Sequence, residues 1–197
     1  MKGVFCIEGL WTHDLANKST IRPILNLLKT NHAIDYIHNN CVTEAEFEFY
    51  INKWKQKKYI RKYPILYLGF HGLEHGFYLS DKTVYSLDKL GELLKDSCGK
   101  AVIFFAMCET LKTDARRIHH FLKNTKALAV LGYKSEVDWM LASAFEILVL
   151  DALQKNEFHG HGIKAIENRI KKDYGKLDQE LEFRMVINKA HYNKLKK

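Results

Sequence analysis

Ala101-Val102-Ile103-Phe104-Phe105-Ala106-Met107 is an unbroken apolar run that stops at Cys108-Glu109-Thr110. A run this short, rich in β-branched and aromatic residues, predicts a strand covered on both faces, as in a parallel sheet. Ile65-Leu66-Tyr67-Leu68-Gly69-Phe70 has the same character and stops at His71-Gly72. Residues 3–8, 34–39 and 127–132 read as further strands. Segments of helical period lie between them, at 23–32, 43–58, 86–95, near 113–123 and at about 138–154. Strands alternating with helices predict parallel strands joined by crossover helices, hence an α/β protein. A hairpin is expected over 77–85, with Ser80-Asp81-Lys82 at its centre. The tail from 163 is helix-like at first and ambiguous at 181–187.

The composition fits one globular domain over residues 1–197, with 47% hydrophobic and 27% charged residues. At this length about 70% of the unfolded chain's surface is buried on folding, so a core forms without disulfides or a structural metal. Only two prolines occur and no Gly/Ser/Pro-rich linker divides the chain. Glu8, His13 and Asp14 interrupt the first apolar run, unlike a signal peptide. No segment reaches the ~18 uninterrupted apolar residues of a membrane span, so no membrane partner and a cytoplasmic location are expected. Cys6, Cys41, Cys98 and Cys108 are scattered without a C-x-x-C pair, which predicts reduced thiols.

The net charge of +8 raises nucleic acid as a partner, but its distribution argues against one. Lys53, Lys55, Lys57, Lys58, Arg61 and Lys62 close a segment that opens with Glu44, Glu46 and Glu48. Thr43 with Glu46 three residues on is a capping box, so acids at the start and lysines at the end complement one helix dipole.

In an open α/β sheet the site lies outside the carboxyl ends of the strands, where this sequence puts His71 and Cys108. A thiol needs a base to become a nucleophile, and an imidazole on a neighbouring strand end supplies one. A helix starting after Cys108 would favour the thiolate through its dipole. Gly72, lacking a Cβ, lets a backbone N–H face the site and form an oxyanion hole with that of Cys108. Cys6, Cys41 and Cys98 read as packing residues. His71-Gly72-Leu73-Glu74-His75 also matches the zinc pattern H-x-x-E-H, but that chemistry needs a helix, and Gly72 and Gly76 oppose one. No metal or other cofactor is expected. His159-Gly160-His161 reads as a surface loop and His119-His120 as helical.

These features together resemble the caspase-like cysteine peptidases, in particular their CHAT, separase-related branch. There a strand ending in His-Gly precedes a hairpin L-x-L-S, here Phe77-Tyr78-Leu79-Ser80-Asp81. A later strand ends like A-C-E-T-G, here Ala106-Met107-Cys108-Glu109-Thr110-Leu111. A strand A-x-A-V-x-G, then V-D and a helix, is matched by 127–132, Val137, Asp138 and the segment from Trp139. The resemblance implies a three-layer α/β/α sandwich with a mainly parallel sheet, and a peptidase with Cys108 as nucleophile and His71 as base. It also implies control in trans by a separate sensor protein, in stress response or antiviral defence.

Leu111 replaces the branch's glycine, the Gln-Ala-Cys of animal caspases is absent, and only 37 residues separate His71 from Cys108, against ~50 in caspases. Ala106 stands where metacaspases carry an acid. Glu8 and Asp138 are the candidate substrate-binding acids, suited to lysine or arginine before the scissile bond; Glu136 reads as surface charge. Asn124-Thr125-Lys126 is too short to be the cleavable linker of animal caspases, so an intact chain is the expected active form. The alternative is a scaffold of the same fold without catalysis, binding a protein or nucleic-acid partner through its basic face.

Overall fold

Ile103 and Phe105 point into one hydrophobic core, Val102 and Phe104 into another, and all four are fully buried. A strand covered on both faces needs helices on both sides. The computed structural model, which describes residues 1–190, supplies them. The chain begins β1 (Val4–Glu8), α1 (Arg22–Thr30), β2 (Tyr36–Asn40), α2 (Glu44–Trp54), α3 (Lys57–Lys62) and β3 (Ile65–Gly69). It continues β4 (His71–Leu73), β5 (Gly76–Tyr78), β6 (Val84–Ser86), α4 (Leu87–Leu93), β7 (Val102–Phe105) and α5 (Ala115–Thr125). Last come β8 (Ala129–Tyr133), α6 (Trp139–Gln154), α7 (Gly160–Asp173), α8 (Gly175–Glu180) and β9 (Phe183–Ile187).

The main sheet has the order β2-β1-β3-β7-β8-β9, all parallel except β9. Its residues alternate between the cores: Phe5, Ile7, Leu66, Leu68 and Val130 pack with α2, α4 and α5, while Val4, Cys6, Tyr67 and Leu131 pack with α1, α6 and α7. This is the expected three-layer sandwich with a mainly parallel sheet. The carboxyl ends of the strands line up, with Glu8 opposite Gly69, Leu68 opposite Phe105, and Phe105 opposite Gly132. From β1 the chain goes to β2 on one side and returns to β3 on the other, and a sheet opens a crevice at such a switch point.

Local signals hold where they are strongest. The Thr43–Glu46 capping box forms, and Ser86, Asp114 and Asp138 cap α4, α5 and α6. The helix expected over 43–58 instead stops at Trp54, whose buried indole Nε1–H donates to the Tyr63 carbonyl at 2.8 Å. Gln56 is extended and starts α3. The lysine run is thus split over two helices, and several members have local partners. Lys55 donates to the Leu93 carbonyl at 2.7 Å and Lys62 lies 3.1 Å from Asp35. The His71 segment is strand, making the expected hairpin a three-stranded sheet of β4, β5 and β6. His71 starts β4 and His75 sits at the turn, so the two imidazoles of the zinc pattern do not share a helical face. Of the segment read as a surface loop, His159 is exposed and caps α7 by accepting from the Gly162 N–H at 3.2 Å, whereas Gly160 and His161 already belong to the helix.

The ambiguous tail becomes β9, where Phe183 packs on Phe104, Tyr133 and Phe145. α5 extends to Thr125, leaving residues 126–128 before β8, with Ala127 and Leu128 buried. No helix among the described residues is long and apolar enough to cross a membrane. Phe104 joins the central strand to the tail through Tyr67 and Phe183. Phe104→Ala should therefore lower unfolding free energy by about 3–5 kcal/mol, measured by denaturant titration.

Candidate active site

Gly72 brings the two strand ends together. A methyl group built on it would stand 1.8 Å from the carbonyl oxygen of Cys108 and 2.7 Å from Thr110 Oγ1, so only glycine permits this approach. The buried Thr110 hydroxyl lies 3.2 Å from the carbonyl oxygens of both Gly76 and Cys108, tying the turn after β7 to the hairpin. Glu109 has a φ of 55° and Leu111 is buried, its N–H donating to the Tyr133 carbonyl at 3.0 Å. This is how the chain turns with leucine where the resembling branch has glycine. Arg184 of β9 adds a clamp, with Nη1 2.9 Å from the Leu111 carbonyl and 3.0 Å from that of Thr113.

Cys108 is partly exposed, whereas Cys6, Cys41 and Cys98 are buried. Burial pushes the Cys41 and Cys98 thiols up to about 12, and that of Cys6 well above its ordinary value. The helix expected near 113–123 is present as α5, but it does not follow Cys108 closely. α5 begins only at Ala115, because residues 107–114 turn and carry the chain back toward β8 and β9. Its dipole therefore lies too far along the chain to serve the thiol, since such effects fade within the first turn. The backbone N–H of Cys108 donates to no group among the described residues.

His71 is exposed, with its ring edge-on to Trp11. Its Nε2 lies 2.9 Å from the Trp11 carbonyl, an acceptor only, so Nε2 carries hydrogen and Nδ1 of the neutral ring is left as an acceptor. Trp11 is held in turn by Glu8. The fully buried Glu8 carboxylate receives the Trp11 indole N–H at 2.5 Å, the Thr20 hydroxyl and Ile21 N–H each at 2.8 Å, and faces His38 Nε2 at 2.5 Å. Burial raises the Glu8 carboxyl, but the bonds from His38, Trp11, Thr20 and Ile21 outweigh it and leave it below the usual range.

A cavity of about 280 Å³ opens beside this pair at the carboxyl ends of β3, β7 and β8. Trp11, Tyr67, His71, Gly72, Cys108 and Tyr133 line it, as do Glu136, Trp139 and Glu146. The structure thus gathers His71, Gly72 and Cys108 around one cavity. Glu8 and Asp138 do not line it. Glu8 has its oxygens engaged by the Trp11 loop, α1 and β2, and Asp138 caps α6 by accepting from the Leu141 N–H at 2.8 Å. Glu136, read from sequence as surface charge, does line it.

Glu146 was invisible to sequence reasoning because it lies inside an apolar helix far from either strand end. It is 6% exposed and accepts from the hydroxyls of Tyr67 and, at 3.0 Å, Tyr133. Burial raises its carboxyl to about 7, against the opposing pull of the two tyrosines. The one available signal was a charge in the midst of Trp139–Gln154.

An α/β sandwich with a cysteine and a histidine lining one cavity at the carboxyl edge of a mainly parallel sheet is the class that fold and site define. The chain belongs to a family of unknown function, DUF6642, whose profile matches residues 1–187. No curated protein matches its sequence. Among solved structures it is similar to the Drosophila initiator caspase Dronc, at 12% identity and a TM-score of 0.47 over 77% of this chain. The chain spans 64% of the length of that Dronc chain.

The raised Glu146 carboxyl has a thermodynamic consequence. Below about pH 4.5, the usual glutamate value, both folded and unfolded states hold its proton; between there and about 7 only the folded state does. Stability from this group should fall as pH rises through that window, by up to about 3 kcal/mol, and then level off. Urea unfolding of the wild type and Glu146→Gln from pH 4.5 to 8 should show this drop in their difference.

Proposed function

We propose that the protein is a cysteine endopeptidase with a His71–Cys108 dyad. The observation that carries the reading is the contact of Gly72 with the Cys108 carbonyl, which puts the histidine hairpin directly on the cysteine turn beside a cavity. In the mechanism, the Cys108 thiol proton passes to His71 Nδ1 and the thiolate sulfur adds to the scissile carbonyl carbon. The N–H of Cys108, together with that of Gly72, holds the oxyanion. Collapse breaks the C–N bond, His71 returns its proton to the leaving amine, and water then hydrolyses the thioester. Trp11 keeps the imidazole in the tautomer this requires.

Control in trans by a separate sensor protein, and a place in bacterial stress response or antiviral defence, belong to the same proposal and rest on the motif resemblance alone. The intact chain is the active form, because the connection from α5 to β8 has no slack for a protease to draw into its groove.

Cys108→Ala and His71→Ala should each abolish cleavage while leaving the melting temperature near that of wild type, since neither residue lies in the core. A small electrophile should label Cys108 ahead of the three buried thiols, read by peptide mass spectrometry. Labelling of Cys108 that is unaffected by His71→Ala, with no cleavage of any protein, would favour the non-catalytic scaffold. A chelator should leave cleavage unchanged, and stoichiometric zinc in the purified protein would revive the H-x-x-E-H chemistry.

A further inference from the structure

Three carboxylates, Glu109, Glu136 and Glu146, line the cavity beside Cys108, and neither lysine nor arginine does. This is an acidic cavity in a chain of net charge +8. The three are not equivalent. Glu109 pairs with Lys112 at 2.8 Å on the surface, and Glu136 is exposed. Glu146 lies at the buried end, where Tyr67 and Tyr133 donate to its two oxygens and no third donor reaches it among the described residues. Each carboxylate oxygen has two acceptor positions, so half of its capacity is unused. The walls between Cys108 and Glu146 are aromatic and aliphatic: Trp11, Ile21, Tyr67, Tyr133 and Trp139.

We propose that this cavity takes the lysine or arginine side chain of the substrate residue whose carbonyl Cys108 attacks, with Glu146 as the specificity-determining carboxylate. The inference rests on the peptidase reading and deepens it. A long side chain that is apolar along its stem and cationic at its tip matches apolar walls ending in an acid. The indole and phenol faces add attraction for the cation. The incoming charge favours the ionised form of Glu146 and so removes the cost of holding that carboxylate buried. An acidic side chain meets three carboxylates, of which only Glu109 carries a counter-charge, Lys112, and that lies outside the lining. A neutral one leaves Glu146 without a partner, and a site built to pair a polar group discriminates strongly against a ligand lacking it. Glu146 thereby takes the role that sequence alone gave to Glu8 and Asp138.

The test has two arms. In the first, peptidyl acyloxymethyl ketones ending in lysine, arginine, norleucine or aspartate are reacted with the wild-type chain, and Cys108 modification is timed by intact mass. Lysine or arginine should react at least about tenfold faster than norleucine, and aspartate slowest. In the second arm, peptidyl-lysine and peptidyl-norleucine amides are titrated calorimetrically into Cys108→Ala protein, which performs no chemistry. The lysine amide should bind at least about tenfold tighter, and Glu146→Gln, which removes the charge and keeps one acceptor oxygen while its NH2 donates to the second tyrosine hydroxyl, should bring the two within about twofold. Equal binding of the two amides, or a lysine preference that survives Glu146→Gln, overturns the inference. A lysine preference in the second arm without any reaction in the first keeps the cation site and counts against the peptidase reading instead.

Discussion

The site depends on an absence of atoms. Residue 72 carries no side chain, and the Cys108 carbonyl occupies the space that one would fill. The hairpin β4–β5 can therefore lie on the turn after β7, where the Thr110 hydroxyl joins the two backbones. With any larger residue at 72 the hairpin would have to lift, separating the imidazole from the thiol. The glycine thus matters for a distance between two loops rather than for an unusual φ.

Around this contact the sheet divides its labour. The face packed by α2, α4 and α5 is filled by aliphatic and aromatic side chains from Phe5 to Val130. The opposite face, beneath α1 and α6, is also packed along most of its length, but toward the strand carboxyl ends it opens into the acidic cavity. Trp11 connects the parts. Its carbonyl fixes the His71 tautomer, its indole N–H is anchored by buried Glu8, and its ring forms a wall of the cavity against Trp139. The orientation of the His71 ring and the shape of the cavity are consequently set by the same loop. Glu8 acts on the imidazole through Trp11 without touching it.

Much of the scaffold was legible because strongly periodic segments leave few alternatives. The runs at 65–70 and 101–107 are too apolar for an edge and too short for a helix of a three-layer domain. Their last residues then had to lie at one rim of the sheet, which is why His71 and Cys108 could be paired without being near in sequence. The capping box at Thr43 acts within a few residues and survived folding unchanged. Failures came where a distant partner decides the outcome. The segment 183–187 has no clean alternation and becomes a strand only because β8 offers an antiparallel edge. The helix 43–58 yields to a break that seats the Trp54 indole on Tyr63.

The sequence by itself determined the α/β class, the order of the principal strands along the chain and the position of His71 and Cys108 at strand ends, since periodicity and chain order are local properties. Tertiary structure decided which acids face the cavity. Glu8 and Asp138 stand beside strand ends in the sequence, yet one is saturated by hydrogen bonds from three elements and the other closes a helix. Glu146 shows in the sequence only as a charge within apolar α6, because a carboxyl's role depends on the donors and the empty space it meets. Those come from Tyr67 and Tyr133, on strands that only the folded sheet sets side by side with β7 between them.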